Sequence, residues 1–286
     1  MAVTPTFGIV IPTHNEEHNL ARLLKSITSQ TYTSYSVTVV DQGSTDKTAD
    51  IAREYGCTFI EIPRPKVYTA PSRSRNIGAS LAAGELLLHL DADMELGSSD
   101  FLARLRALVD ADHQAVVIRE LDVASGFWAE CKALERSCYW GTTMVAARAV
   151  TRELFTRVGG YNEAISSGED FYVTRLYERE TRVGSDQTLL LRHYIGQPSL
   201  KTLLRKKFIY GKTADAYIAR AQDIGAASAS SIIWTSMRAY LKNWKVLGRQ
   251  PVHCLGIFAL RAMELLAVSL GRLNANYQGS DPDTSG

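Results

Sequence analysis

Over the first 120 residues, hydrophobic positions come as short unbroken runs separated by segments of helical period. Residues 7–11 (FGIVI) are almost wholly apolar, whereas Leu20, Leu23, Leu24 and Ile27 recur at the spacing of one helix face. The alternation repeats with a β-branched run at 37–40, a helical stretch at 48–55, and an extended stretch at 57–62 stopped by Pro63 and Pro65. A helix over 72–83, the continuous apolar run 86–90, a helix over 100–109 and an extended 115–118 follow. Strands this apolar, spaced by helices, predict an α/β fold with a mostly parallel sheet flanked by helices on both faces.

The pattern then loosens. Residues 127–139 read as helix, 143–147 as extended, 151–158 as a helix ended by Gly159 and Gly160, 171–180 as helix and 188–193 as strand. Beyond Pro198 the chain becomes long helical segments with no convincing strand. The expected organisation is an α/β domain over 1–198, a basic, partly amphipathic helical extension over 199–275, and a flexible polar tail over 276–286.

A content of 45% hydrophobic and 22% charged residues excludes disorder as the default. Charge sharpens the division: 199–272 holds twelve Lys/Arg against three acids, a net +9, while 1–198 carries a net −5. An anionic partner for the helical extension is expected, and the absence of a nucleic-acid reader motif points away from DNA or RNA. The nineteen-residue apolar run 252–270 approaches the length of a bilayer span, but Arg261 and Glu264 interrupt it. Three apart on a helix, they can neutralise each other. A helix lying in a membrane interface is the favoured reading; an amphipathic helix packed on the α/β domain is the other. No secretory signal is visible at the N-terminus, and Cys57, Cys131, Cys138 and Cys254 form no CxxC pair or zinc spacing, so reduced thiols in a cytoplasmic setting are expected.

In an open parallel sheet, ligands bind at the carboxyl ends of the strands. Three such ends are polar: Pro12 to Glu16, Asp41 to Asp46, and Asp91-Ala92-Asp93. Asp91 and Asp93, separated by one small residue, suit Mg²⁺ or Mn²⁺ shared with substrate phosphates; solvated turn aspartates are the alternative. Asp41 is placed to accept from a nucleobase N–H, while Ser44 and Asp46 read as helix-start residues. No GxGxxG follows the first strand, which weakens a dinucleotide reading. Arg73, Arg75 and Asn76 open a helix and suit phosphate or ribose contacts, or simply a solvated helix end. Glu169 and Asp170 open another, where either carboxylate can act as a general base and Ser167 with Asp170 forms a capping-box-like pair. His193, after an apolar strand, is either a further metal ligand or a core histidine.

These segments together resemble family 2 glycosyltransferases of the GT-A (Rossmann-like) fold over roughly residues 5–215. FGIVIPTHNE (7–16) is similar to the family's opening strand, VVDQGSTDKT (39–48) to its base-binding element, and SRNIG (74–78) to its R-N-x-G turn. Asp91–Asp93 matches the DxD motif, and Gly168–Asp170 the G-E-D acceptor motif. His14 stands where Tyr is commoner and Gln42 where a second Asp is frequent. The resemblance implies an inverting enzyme with a nucleoside-diphosphate-sugar donor, seated by Pro12, His14, Glu16, Asp41, Arg73, Arg75, Asn76, Asp91 and Ala92. It implies Mn²⁺ or Mg²⁺ at Asp93 and Asp91 and Asp170 as the base; His193 as a third metal ligand and Glu169 as the other candidate base come from the residues themselves. Lacking Q-x-x-R-W after Asp170, the chain reads as a single-addition enzyme in cell-envelope glycan or glycolipid synthesis. A sugar or lipid-linked acceptor and a peripheral position on the inner face of the cell membrane are expected. A non-catalytic nucleotide-binding membrane scaffold and a nucleotidyltransferase are the alternatives.

Overall fold

A computed structural model describes residues 6–64, 71–142, 144–165, 168–212, 214, 215, 218 and 229–279. Two compact units divide the chain, one drawn from 1–122, 145–163 and 169–194, the other from 123–144, 164–168 and 195–286.

The first unit contains β1 (Phe7–Thr13), α1 (Glu17–Thr28), β2 (Tyr35–Asp41), α2 (Thr48–Glu54), β3 (Thr58–Glu61), α3 (Ser72–Leu81), β4 (Leu86–His89), β5 (Met94–Leu96) and α4 (Phe101–Ala107). After β6 (Ala115–Ala124), helix α5 (Phe127–Ser137) joins the second unit. The chain returns as β7 (Ala147–Thr151), α6 (Arg152–Arg157), α7 (Glu169–Glu180) and β8 (Val183–Gly196). The strands form one sheet in the order β3-β2-β1-β4-β7-β6-β8-β5. Its first four are parallel, as the buried apolar runs require; β4–β7, β7–β6 and β8–β5 pair antiparallel.

Two local readings shift. The extended segment expected at 143–147 lies at Ala147–Thr151, because Leu86–Leu88 pair with 149–151 and fix the register; Thr143 is outside the described residues. The three-residue β5, too short to show a period, exists only through its pairing with β8, Met94 opposite His193. The core of this unit is built from Phe7, Ile9 and Ile11 of β1, the buried face of α1, and Leu86 and Leu88 of β4. On the other side of the sheet α3 lies on β1 and β2 at Gly78, where a Cβ would fall 2.3 Å from Val10 Cγ1. That contact sets where the Arg75 side chain starts.

In the second unit α8 (Leu200–Gly211), α9 (Ala229–Lys242), α10 (Trp244–Gly248) and the 29-residue α11 (Pro251–Gly279) accompany α5. Pro251 opens α11 at the position where a missing N–H is harmless. Glycines let α11 and α8 touch along the backbone: a Cβ on Gly271 would lie 2.1 Å from Phe208 O, and one on Gly211 2.2 Å from Val268 O. Ile257, Leu260, Glu264 and Ala267 form the buried stripe of α11. Glu264, 3% exposed, accepts from Lys132 Nζ at 3.0 Å and Arg261 Nη1 at 2.9 Å, and Arg261 Nε reaches Glu135 Oε1 at 2.6 Å. The two charges that interrupt the apolar run are thus neutralised inside the unit. The opposite side of α11 exposes Val252, Leu255, Phe258, Leu265, Leu266, Leu270 and Leu273. All four cysteines are free thiols, Cys131 and Cys138 in the core around α5.

Candidate functional site

The β1 and β2 ends are adjacent because Thr13 pairs with Asp41 in the parallel register. Thr13 Oγ1 donates to Asp41 Oδ1 at 2.9 Å, and the Ser44 N–H donates to Oδ2 at 2.7 Å; the Ser44 hydroxyl also donates to Oδ1. Buried and accepting three hydrogen bonds from the chain, Asp41 organises both loops and keeps roughly one of its four acceptor directions for another donor. Asn15, in the left-handed region at φ 55°, receives the Thr45 N–H on its side chain and gives its own N–H to Ser44 Oγ. Asp46 accepts from the N–H groups of Glu17 and Thr48. Ser44 and Asp46 therefore serve the loop; the residue before α2 is Lys47, and no side chain caps that helix. Burial raises the Glu16 carboxyl above its ordinary value, with Asp93, Asp46 and Asp91 adding to the rise against a hydrogen bond from Asn19. His14 and Pro12 are half-buried beside it in sequence.

A second cluster forms around Asp91. Arg75, fully inside the unit, donates from Nη2 to Asp91 Oδ1 at 2.6 Å and from Nη1 to Glu169 Oε1 at 2.9 Å. The other Asp91 oxygen meets Arg148 Nη1 at 3.2 Å. Burial alone would raise the Asp91 carboxyl, but Arg148 and Arg75 overcome it and hold the group well below the usual carboxylate range. One Asp91 oxygen thus accepts from Arg75, and the other faces Arg148 as an ion pair without a hydrogen bond. Glu169 goes the other way: burial, then the Asp170 charge, push it up to about 7 against the pull of Arg75. Asp170 in the first turn of α7 is half-buried, accepts from the Phe171 N–H at 2.9 Å, and acts electrostatically on Arg148 and Tyr161. Ser167 lies outside the described residues. Asn76 turns away from this cluster; its side chain bonds the backbone N–H and C=O of Tyr161, and Arg73 is exposed at the start of α3.

Asp93 stands apart from Asp91. Among the described residues its Oδ1 is buried without a hydrogen-bond partner, and its Oδ2 lies 3.3 Å from His193 Nε2. A carboxylate with one unsatisfied oxygen and an imidazole nitrogen thus lie side by side, supplying two of the donors that a divalent cation would need. Among the described residues no group of three or more His, Cys, Asp or Glu is arranged to hold a metal ion. The β5–β8 ladder brings the pair together, with Tyr194 N–H donating to Asp93 O at 2.8 Å. Burial opposes the charge on His193, but its carboxylate partners Asp122, Asp93 and Glu120 raise it to about 10.

Sequence reasoning passed over Arg148, Glu120 and Asp122. Their signals were a lone charge inside the apolar stretch 146–150 and a strand segment, 120–123, whose charged and apolar residues alternate.

The parallel strand ends, the Asp91-x-Asp93 turn and the α7 carboxylates on a mixed sheet define a protein of GT-A fold. The model of glycosyl transferase family 2 matches residues 8–179, and the chain belongs to that family. It is 24% identical over 212 residues to the poly(ribitol-phosphate) beta-N-acetylglucosaminyltransferase TarS of Staphylococcus aureus, covering 71% of this chain and 35% of TarS. It is 34% identical over 170 residues to the PGL/p-HBAD biosynthesis glycosyltransferase of Mycobacterium tuberculosis, covering 55% of this chain and 64% of that protein. The chain therefore spans about a third of the first relative and under two thirds of the second. In fold it is similar to the mannosyltransferase PcManGT from Pyrobaculum calidifontis, solved with GDP-Man and Mn²⁺: TM-score 0.59 at 21% identity, over 97% of this chain and 80% of that one.

Proposed function

We propose that the chain transfers a sugar from a nucleoside-diphosphate-sugar to an acceptor hydroxyl by inverting displacement. The observation that carries this reading is the unsatisfied Asp93 oxygen beside His193, in the same unit as the Arg75-linked carboxylates of Asp91 and Glu169. The nucleotide half of the donor lies along the β1 and β2 ends, where Pro12, His14 and Glu16 line the loop and Asp41 offers its remaining acceptor direction to a base N–H. Arg73 and the α3 N-terminus supply positive potential for phosphate. A divalent cation at Asp93 and His193, with Asp91 steadied alongside, would neutralise charge developing on the departing diphosphate. Asp170 accepts the proton of the acceptor hydroxyl as its oxygen bonds the anomeric carbon, and the electron pair of the broken C–O bond leaves with the nucleoside diphosphate. Glu169, held by Arg75, positions rather than reacts. The resemblance to TarS, the mycobacterial enzyme and PcManGT supports donor, acceptor and metal of these classes.

The acceptor is read as lipid-linked, because α11 has an exposed apolar side and Trp234, Met237, Leu241 and Trp244 of α9 and α10 are exposed as well, close in sequence to the exposed Lys242, Lys245 and Arg249. Apolar and aromatic side chains next to basic ones fit a helix lying in the interface of an anionic membrane on its cytoplasmic side. With Arg261 and Glu264 turned onto Glu135 and Lys132 of α5, α11 is suited to lie on a bilayer rather than cross it.

Titration with a panel of nucleotide-sugars, with Mn²⁺ and with chelator, tests the donor reading. Asp93→Asn is expected to lose metal-dependent donor binding. Asp170→Asn is expected to bind donor normally and lose about 10²-fold or more in turnover; unchanged turnover removes Asp170 from the mechanism. Release of pyrophosphate instead of nucleoside diphosphate indicates nucleotidyl transfer, and no turnover on any donor indicates a scaffold.

A further inference from the structure

Strand β6 is built against the grain of the hydrophobic effect. Along 119–123 (RELDV) a sheet strand alternates its faces, so Glu120 and Asp122 share one side and Leu121 and Val123 the other. Burial should select Leu121 and Val123, yet Leu121 is 46% exposed while the Glu120 and Asp122 side chains keep 11% and 2% of their surface. Burying two carboxylates in place of two aliphatic side chains costs free energy unless specific partners take them up. The partners are those of the candidate site. Asp122 Oδ1 lies 3.0 Å from His193 Nδ1; Glu120 Oε1 accepts from Arg148 Nε at 2.8 Å, and its Oε2 lies 3.8 Å from His193 Nδ1.

We propose that Asp122 and Glu120 are positioning residues for the Asp93–His193 pair, an inference that rests on the metal-binding reading of that pair. Asp122 holds His193 by Nδ1 and so aims Nε2 at the side of Asp93, the arrangement in which a metal-ligating imidazole donates its second N–H to a carboxylate. Glu120 joins this pair to Arg148, whose other contact is Asp91. The surroundings of the two aspartates of the D-x-D turn are thereby tied through one β6 residue. Moving the imidazole would loosen the donor set without removing a ligand.

The experiment is Mn²⁺ titration, followed by electron paramagnetic resonance, of the full chain and its Asp122→Ala, Asp122→Asn and Asp93→Asn variants, with circular dichroism checking the fold. Asp122→Ala is expected to bind Mn²⁺ about 10–100-fold more weakly, with Asp122→Asn restoring part of the loss because an amide oxygen still accepts from Nδ1–H. Binding of nucleoside diphosphate in chelator should be unchanged in both. Asp122→Ala binding Mn²⁺ like the wild type, while Asp93→Asn does not, overturns the proposal and leaves the metal reading standing. Equal Mn²⁺ binding by wild type and Asp93→Asn overturns the metal reading instead. In that event the imidazole proton signal of His193 decides: a downfield Nδ1–H present in the wild type and lost in Asp122→Ala supports the positioning role, and a signal indifferent to Asp122 refutes it.

Discussion

Replacing Arg75 by Met keeps most of the stem volume and removes the guanidinium that joins Asp91 to Glu169. The two carboxylates respond differently. Asp91 retains Arg148 at 3.2 Å, so its loss is that of one charge-assisted hydrogen bond, about 2 kcal/mol. Glu169 retains no cation shown at its side chain, and burial already pushes it up to about 7 with Arg75 present. Without Arg75 it rises further. A raised folded-state value means the folded chain holds a proton that the unfolded chain releases, so the destabilisation is absent below the unfolded value and grows as pH rises. Between the ordinary Glu value and 7, wild type and variant both carry a neutral Glu169, and the deficit of Arg75→Met stays near the Asp91 contribution. Above 7 the variant alone resists ionisation, and the deficit climbs towards the roughly 3–5 kcal/mol that follows breaking a buried pair. At about 2–4 °C per kcal/mol, melting followed by circular dichroism should fall by about 5 °C at pH 5.5 and by more than 10 °C at pH 8.5. Adding Glu169→Gln to Arg75→Met should bring the pH 8.5 loss back to about its pH 5.5 value, because no carboxylate at 169 is left stranded while the Asp91 contribution remains. A deficit independent of pH, or no recovery in the double variant, would refute this account.

Three further outcomes follow from the packing. Gly271→Val puts side-chain atoms where Phe208 O stands and is expected to separate α8 from α11 at a cost of about 3 kcal/mol or more, read as a lower melting temperature; a neutral result would deny the close approach. Leu255→Ser with Leu266→Ser should leave folding intact and reduce co-sedimentation with anionic vesicles, while high salt weakens binding of the unsubstituted chain; indifference to both refutes the interfacial reading of α11. Burial pushes the Cys57 thiol up to about 11, so near pH 8 about one molecule in a thousand carries its thiolate, and alkylation of the native chain at that residue should be slow until it is unfolded.

The parallel half of the sheet and the residues at its strand ends were legible in the sequence because their causes are local. Apolar runs such as 7–11 and 86–90 must be buried on both faces, and the polar segments that follow them have no place inside the sheet. Asp41, Asp91 and Asp93 are readable for that reason, whereas the capping expected of Ser44 and Asp46 is replaced by hydrogen bonds within the loop. What α11 does with its charges was readable in part: Arg261 and Glu264 are three apart and do pair, but Glu135 and Lys132, which complete the set, come from more than a hundred residues away.

Only the tertiary structure decided which carboxylate does what. Asp91 and Asp93 look equivalent along the chain, yet one is clamped between Arg75 and Arg148 and the other keeps an unsatisfied oxygen beside His193. Glu169 and Asp170 are neighbours in one helix turn, and the position of Arg75 separates them. The Asp91–Asp93 distinction depends on antiparallel pairings in the far half of the sheet, β4 with β7 for Arg148 and β5 with β8 for His193. Strand pairing over such separations is set by the packing of the whole unit, and no periodicity along the chain encodes it.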